Sequence, residues 1–178
     1  MLMDVGLDTG DMLLKHEVNI TSEMTYGELH DILSFSGADL LVSTINMYAE
    51  GKIVSEKQNN EDTSYAKMLH KNMCGINWNK SADEISNLIR GLNPRPVAYT
   101  SYENNIMKIY KAITLDKQCK HEPGYISKVS KIGIEVETAK GVLQINSLQF
   151  PGGKVLNVDE FLRGNEIKEG MVLPSFNL

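Results

Sequence analysis

Cysteine is scarce in this sequence, and what there is forms no motif. Cys74 and Cys119 are the two cysteines of 178 residues, far apart and without a CxxC pair. A disulfide framework is excluded, and both read as free thiols of a reducing compartment. Histidine is little commoner: His16, His30, His70 and His121 stand at no metal-ligand spacing, so no metal site is expected. Long apolar runs are missing too. No stretch approaches the roughly 20 residues of a membrane-spanning helix, and the opening MLMDVGLDTGD is acidic where a secretion signal is basic. A cytoplasmic protein with no membrane partner is expected.

Positive charge is also in deficit, with a net of −5. Taken whole, that argues against binding a polyanion. Its distribution does not. Residues 1–57 hold three lysines against ten acidic side chains, while residues 58–178 hold fifteen Lys and Arg against thirteen acidic ones. Such asymmetry predicts two modules, the second slightly basic and suited to meeting a polyanion.

What is present begins with Met3–Leu13, MDVGLDTGDML. Met3, Val5, Leu7, Met12 and Leu13 suit burial beside a sheet, and Asp4, Asp8 and Asp11 put three carboxylates on the loop among them. Gly6 and Gly10 permit a close backbone approach or a positive φ. Carboxylates between glycines suit a ligand loop at the end of a strand; an acidic turn between strands fits the same residues. Two short strands are expected around this loop, the second over Met12–Ile20. Thr25 and Glu28 form a capping-box pattern. Apolar residues at helical spacing follow to Gly51, interrupted at Gly37, and predict one broken helix or two helices covering a sheet.

Residues 54–64, VSEKQNNEDTS, are polar and aperiodic and predict the linker. The division expected is 1–57, a linker at 58–64, and a domain at 65–178. Tyr65, Met68 and Leu69 form a short apolar patch. Ser81 and Glu84 form a second capping box; Ile85, Leu88, Ile89 and Leu92 share a helix face, with Gly91 near the end and Pro94 and Pro96 stopping it. Strands are expected over Val97–Tyr102, Ile106–Leu115, Pro123–Val129, Ile132–Thr138 and Val142–Leu148, and a last short helix from Asn157 to near Gly164. Five short strands with small helices suggest a compact barrel.

MDVGLDTGDM resembles the end of the catalytic domain of the methionyl-tRNA formyltransferase family. Later landmarks follow in the family's order: INW at Ile76–Trp78, NLIRGLNPRPVAYT at Asn87–Thr100, PGYI at Pro123–Ile126, SLQFPGGK at Ser147–Lys154, DEFLRG at Asp159–Gly164 and EGMVL at Glu169–Leu173. The resemblance covers essentially the whole chain. It implies an α/β remnant, the end of a Rossmann-like formyltransferase domain, followed by a mostly β, OB-like barrel with short helices. It implies formyl transfer from 10-formyltetrahydrofolate to the amino group of initiator methionyl-tRNA, in a monomeric cytoplasmic enzyme. Asp8 takes the catalytic carboxylate's place, and Val5, Gly6, Leu7 and Asp8 that of the folate wall. Asp4 and Asp11 read as loop-capping groups.

For the tRNA backbone the candidate cations are Arg90, Arg95, Lys108, Lys111, Lys154 and Arg163. The alternatives for them are a solvated surface or, for Arg90 and Arg163, a helix C-terminal role. Tyr99, Tyr102 and Tyr110 offer stacking faces. The sequence departs from the family pattern at Asn77, Arg95 and Val97, where the family has an acid, a tryptophan and a glycine. The family's Asn-x-His and its serine–leucine–leucine–proline loop do not occur in these residues. The resemblance therefore implies that Met1 matches an internal methionine and that these residues alone are inactive. The competing readings are a sugar-nucleotide formyltransferase and a non-catalytic tRNA-binding fragment.

Overall fold

The computed structural model describes residues 1–176. The chain divides into two compact units, Met1–Met68 and Leu69–Leu178.

The first unit is built on one helix, α1 (Tyr26–Ala49). The capping box forms: Glu28 N donates to Thr25 Oγ1 at 3.3 Å, and Thr25 N to Glu28 Oε2 at 2.8 Å. At the other end Gly51 takes φ +66. Its N–H bonds Tyr48 O and that of Lys52 bonds Met47 O, at 3.0 and 2.9 Å. This is a Schellman stop that a residue with a Cβ enters at a cost. The expected break at Gly37 is absent. A Cβ there would meet nothing within 4 Å, so this glycine marks neither a kink nor a close contact.

Among the described residues the first unit holds no sheet for the helix to cover. None of the residues of α1 is buried, and Phe35, Leu41, Val42, Ile45 and Tyr48 are exposed. Periodicity reported that the segment is helical, not that anything lies against it. The expected strands over residues 1–20 are likewise not formed. A ladder needs a neighbour, and only Met12 finds one, in an isolated antiparallel bridge with Glu56.

The second unit is a six-stranded antiparallel sheet, ordered β1 (Ala98–Tyr102), β2 (Asn105–Leu115), β5 (Val142–Gln149), β4 (Gly133–Glu137), β3 (Ile126–Ser130), with β6 (Leu156–Asn157) also pairing β5. β1 to β5 start and stop within three residues of the predicted places, while the two-residue β6 is not anticipated by the sequence pattern. β2 is bulged around Lys111, where its register with β5 shifts. Both edges of the path are covered by loop segments, as exposed edges require. Ile76 N donates to Tyr99 O beside β1, and Ile126 N to Met171 O beside β3, each at 2.8 Å.

Against the sheet lies α2 (Ala82–Gly91), started by the Ser81–Glu84 capping box. Ala82, Ile85 and Ile89 are buried on one face, as the spacing predicts. Gly91 is the last helical residue, with Leu92 as the C-cap. Trp78 is fully buried, its Nε1 donating to Thr100 Oγ1 at 3.3 Å. α3 (Val158–Phe161) stacks Phe161 on Phe150 with ring centroids 5.2 Å apart. Tyr65, Met68 and Leu69 are exposed rather than gathered in a patch that buries them.

Candidate functional site

The loop around Asp8 is tied down by the polar stretch that follows α1. Met12 and Glu56 exchange both backbone hydrogen bonds at 2.8 Å, and Leu2 N donates to Asp11 O at 2.9 Å. Gln58 Nε2 donates to the carbonyls of Asp8 and Gly10, both at 2.7 Å. Asp4 Oδ1 accepts from Val5 N at 2.7 Å and Asp11 Oδ2 from Ser55 Oγ at 3.3 Å, so these two carboxylates are occupied within the loop and its clamp. Gly10 is sterically obligatory: a Cβ there would stand 1.8 Å from Leu2 O.

Asp8 differs from its neighbours. It sits at φ +54, a conformation that aspartate tolerates better than most residues, and it is exposed. Met3, Val5 and Leu7, expected to bury beside a sheet, also stand in solvent. Among the described residues the loop thus presents the Asp8 carboxylate after three exposed apolar side chains. These side chains form an open surface and no enclosed pocket. Elsewhere in this unit an apolar groove of about 470 Å³ runs among Leu2, Leu13, Leu40, Ile45 and Tyr48. The described residues hold no cluster of His, Cys, Asp or Glu able to bind a metal ion, and no helix is long and apolar enough to cross a membrane.

The candidate cations lie at separate places on the second unit. Lys108 and Lys111 are exposed on β2, facing Gln149 and Ser147 in register. Arg95 and Lys154 are exposed on loops. Arg90 Nη2 donates to Asn87 Oδ1 at 2.7 Å along α2. Arg163 pairs with Asp159 at 3.0 Å, one helical turn back. Of the tyrosines, Tyr102 is buried, its hydroxyl accepting from Lys168 N at 3.1 Å. Tyr110 is half-buried, its hydroxyl donating to Gln149 Oε1 at 3.0 Å.

Sequence reasoning passed over Gln58 and Glu137. Gln58 is one of several polar residues in an aperiodic stretch, and its partners lie about fifty residues away. Glu137, on β4, is 3% exposed. It accepts from Lys120 N at 2.6 Å and His121 N at 2.7 Å, and its Oε1 lies 3.0 Å from His121 Nδ1. Burial pushes its carboxyl up, but the hydrogen bonds from the His121 ring and the two backbone N–H groups outweigh that and hold it below the usual carboxylate value. The His121 ring stacks on Tyr125 with centroids 3.9 Å apart. This cluster fastens the β2–β3 connection to the sheet.

Residues 68–166 match the family described as Formyl transferase, C-terminal domain. The chain is 57% identical over 173 residues to the methionyl-tRNA formyltransferase of Clostridium beijerinckii, covering 97% of this chain and 56% of that protein. For Clostridium novyi the corresponding identity is 55%, with the same shares. The chain thus spans about half the length of the curated relatives it matches. Among solved structures, the sugar 3N-formyl transferase WlaRD shares the fold with a TM-score of 0.60 and 22% identity, over 85% of this chain and 53% of that one. The match to the family's C-terminal domain extends over more than half of the residues, and the chain belongs to the formyl transferase family.

Proposed function

We propose that this chain supplies the end of the catalytic domain and the tRNA-holding domain of a methionyl-tRNA formyltransferase. The observation that carries the reading is the match to such an enzyme, 57% identical over 97% of the chain. Because it runs through both units, it favours the tRNA enzyme over a sugar-nucleotide formyltransferase, to which the solved likeness is 22%. In this reading residues 1–57 end a Rossmann-like domain, 58–64 link, and 65–178 form an OB-like barrel. The enzyme is a cytoplasmic monomer whose formyl donor is 10-formyltetrahydrofolate and whose acceptor is initiator methionyl-tRNA.

The residues present fit a partial role in that chemistry. When the amine of the methionyl group attacks a formyl carbon, an oxyanion develops and a proton must leave. Asp8 is the group that accepts or relays that proton. It is free to do so because Asp4 and Asp11 take the loop's own donors and Gln58 holds its carbonyl. Val5, Gly6 and Leu7 line the donor's side of the loop, their exposed surface being available to a flat ring. Oxyanion donors have to come from outside these residues. Arg90, Arg95, Lys108, Lys111, Lys154 and Arg163 track the tRNA backbone, and salt weakens that contact by restoring counterions to the phosphates.

The test is formyl transfer by this chain joined to the remaining N-terminal portion of the Clostridium beijerinckii relative. Asp8→Asn in that fusion lowers the single-turnover rate by about 100-fold or more, the usual scale for a positioned acid–base group. A near-normal rate shows that Asp8 is the wrong carboxylate. Absence of transfer by the unmutated, folded fusion counts against the whole reading.

A further inference from the structure

Lys111, Lys131 and Asn146 line one polar cavity of about 370 Å³ in the second unit. They come from three elements. Lys111 sits at the bulge of β2, opposite Ser147. Asn146 precedes Ser147 on β5, and Lys131 lies in the turn that joins the paired residues Ser130 and Gly133 of β3 and β4. Because β5 runs between β2 and β4, the sheet gathers side chains that the sequence scatters.

Neither lysine is within salt-bridge distance of a carboxylate among the described residues. The carboxylate that does line the cavity, Asp159, is held by Arg163 at 3.0 Å. The opening therefore favours an anion. Asn146 adds a second requirement. Its Nδ2 donates to Ile132 O at 3.0 Å, while its Oδ1 is enclosed and accepts from nothing. An enclosed acceptor without a donor calls for an explanation, and a ligand hydroxyl supplies the donor when binding turns the amide toward the opening, in exchange for its hydrogen bond to Ile132 O. Ile113 and Ile132 are exposed at the rim and give a sugar or base an apolar surface.

A bare anion answers the lysines and leaves Asn146 unsatisfied. A phosphate with a neighbouring hydroxyl answers both, and the RNA backbone repeats that combination at every 2′-OH, which DNA lacks. We propose that this cavity holds one ribose-phosphate unit of bound RNA, with Lys111 and Lys131 on the phosphate and Asn146 Oδ1 accepting from the 2′-hydroxyl. This rests on the tRNA-binding reading above and adds Lys131 to it as a further phosphate contact and Asn146 as the residue that distinguishes RNA from DNA.

The experiment is a filter-binding titration of the full chain at two salt concentrations. The probes are an initiator tRNA transcript and DNA of the same sequence. The unmutated chain binds RNA about fivefold or more tighter than DNA. Lys131→Ala, at an exposed turn where truncation does not threaten the fold, weakens RNA binding three- to tenfold and lowers the salt slope by roughly 0.7–0.9. Asn146→Leu brings RNA binding down to the DNA level. Equal binding of RNA and DNA by the unmutated chain overturns the cavity proposal and leaves the tRNA reading standing. So does salt-dependent tRNA binding that Lys131→Ala leaves unchanged. No salt-dependent tRNA binding at all overturns both.

Discussion

Gln58 holds Asp8 by its backbone and leaves its side chain free: Gln58 Nε2 lies 2.7 Å from Asp8 O, across fifty residues of sequence. The same amide nitrogen reaches Gly10 O, so one side chain sets the exit of the loop that carries the candidate carboxylate. Removing the amide with Gln58→Ala costs two hydrogen bonds, each worth about 0.5–1.5 kcal/mol net. Amide exchange at Met12 and Glu56, whose bridge closes the same loop, is expected to quicken roughly tenfold. Exchange rates unchanged by the substitution mean that the loop is held by other contacts.

Val97 stands where the backbone favours glycine. Its φ is +74 and its side chain is 3% exposed. A β-branched residue in this region is an outlier, at a cost of about 1–2 kcal/mol or more, against about 1.5–3 kcal/mol from burying the side chain. Val97→Gly removes both terms, which largely offset, and is expected to lower stability by no more than about 2 kcal/mol. Val97→Ala keeps the backbone cost and loses most of the burial, so it is the less stable of the two, opposite to the usual order of Ala and Gly. Urea unfolding of both variants decides it. An alanine variant more stable than the glycine variant contradicts the strain argument.

Glu137 makes the fold sensitive to acid. Its carboxyl is held below the ordinary value of about 4.3 in the folded state. Its stabilising contribution is therefore fully present above that unfolded value and is lost as pH falls through the lower folded one. Glu137→Gln is expected to be less stable at pH 7 by about 1.5–3 kcal/mol, the range for hydrogen bonds to a charged group. The gap should close as pH falls well below about 4. Denaturant midpoints at several pH values test this, and a gap independent of pH rules out the ionised carboxylate as the cause.

Much of the second unit was readable in order. Ser81, Glu84 and the Ile85–Ile89 spacing place α2 because capping and periodicity act within a few residues. The alternating runs from Ala98 to Gln149 announce strands for the same local reason. The landmark residues from Met3 to Leu173 carry the family resemblance in the sequence itself. Local signals stop where partners are distant. Apolar spacing from Leu29 to Tyr48 specifies a helix, yet no residue of α1 is buried, since periodicity cannot say what covers a face. Gly10 looks like a generic loop glycine until Leu2 O fills the space of its Cβ. Lys111, Lys131 and Asn146 are unremarkable as a list. They share a cavity only because β5 is paired between β2 and β4. Composition and spacing determined the helices and the five main strands of the second unit and which chemistry was available. Tertiary pairing alone decided which of those groups meet, because hydrogen-bond register across strands, unlike capping and periodicity, is a relationship between residues far apart in the chain.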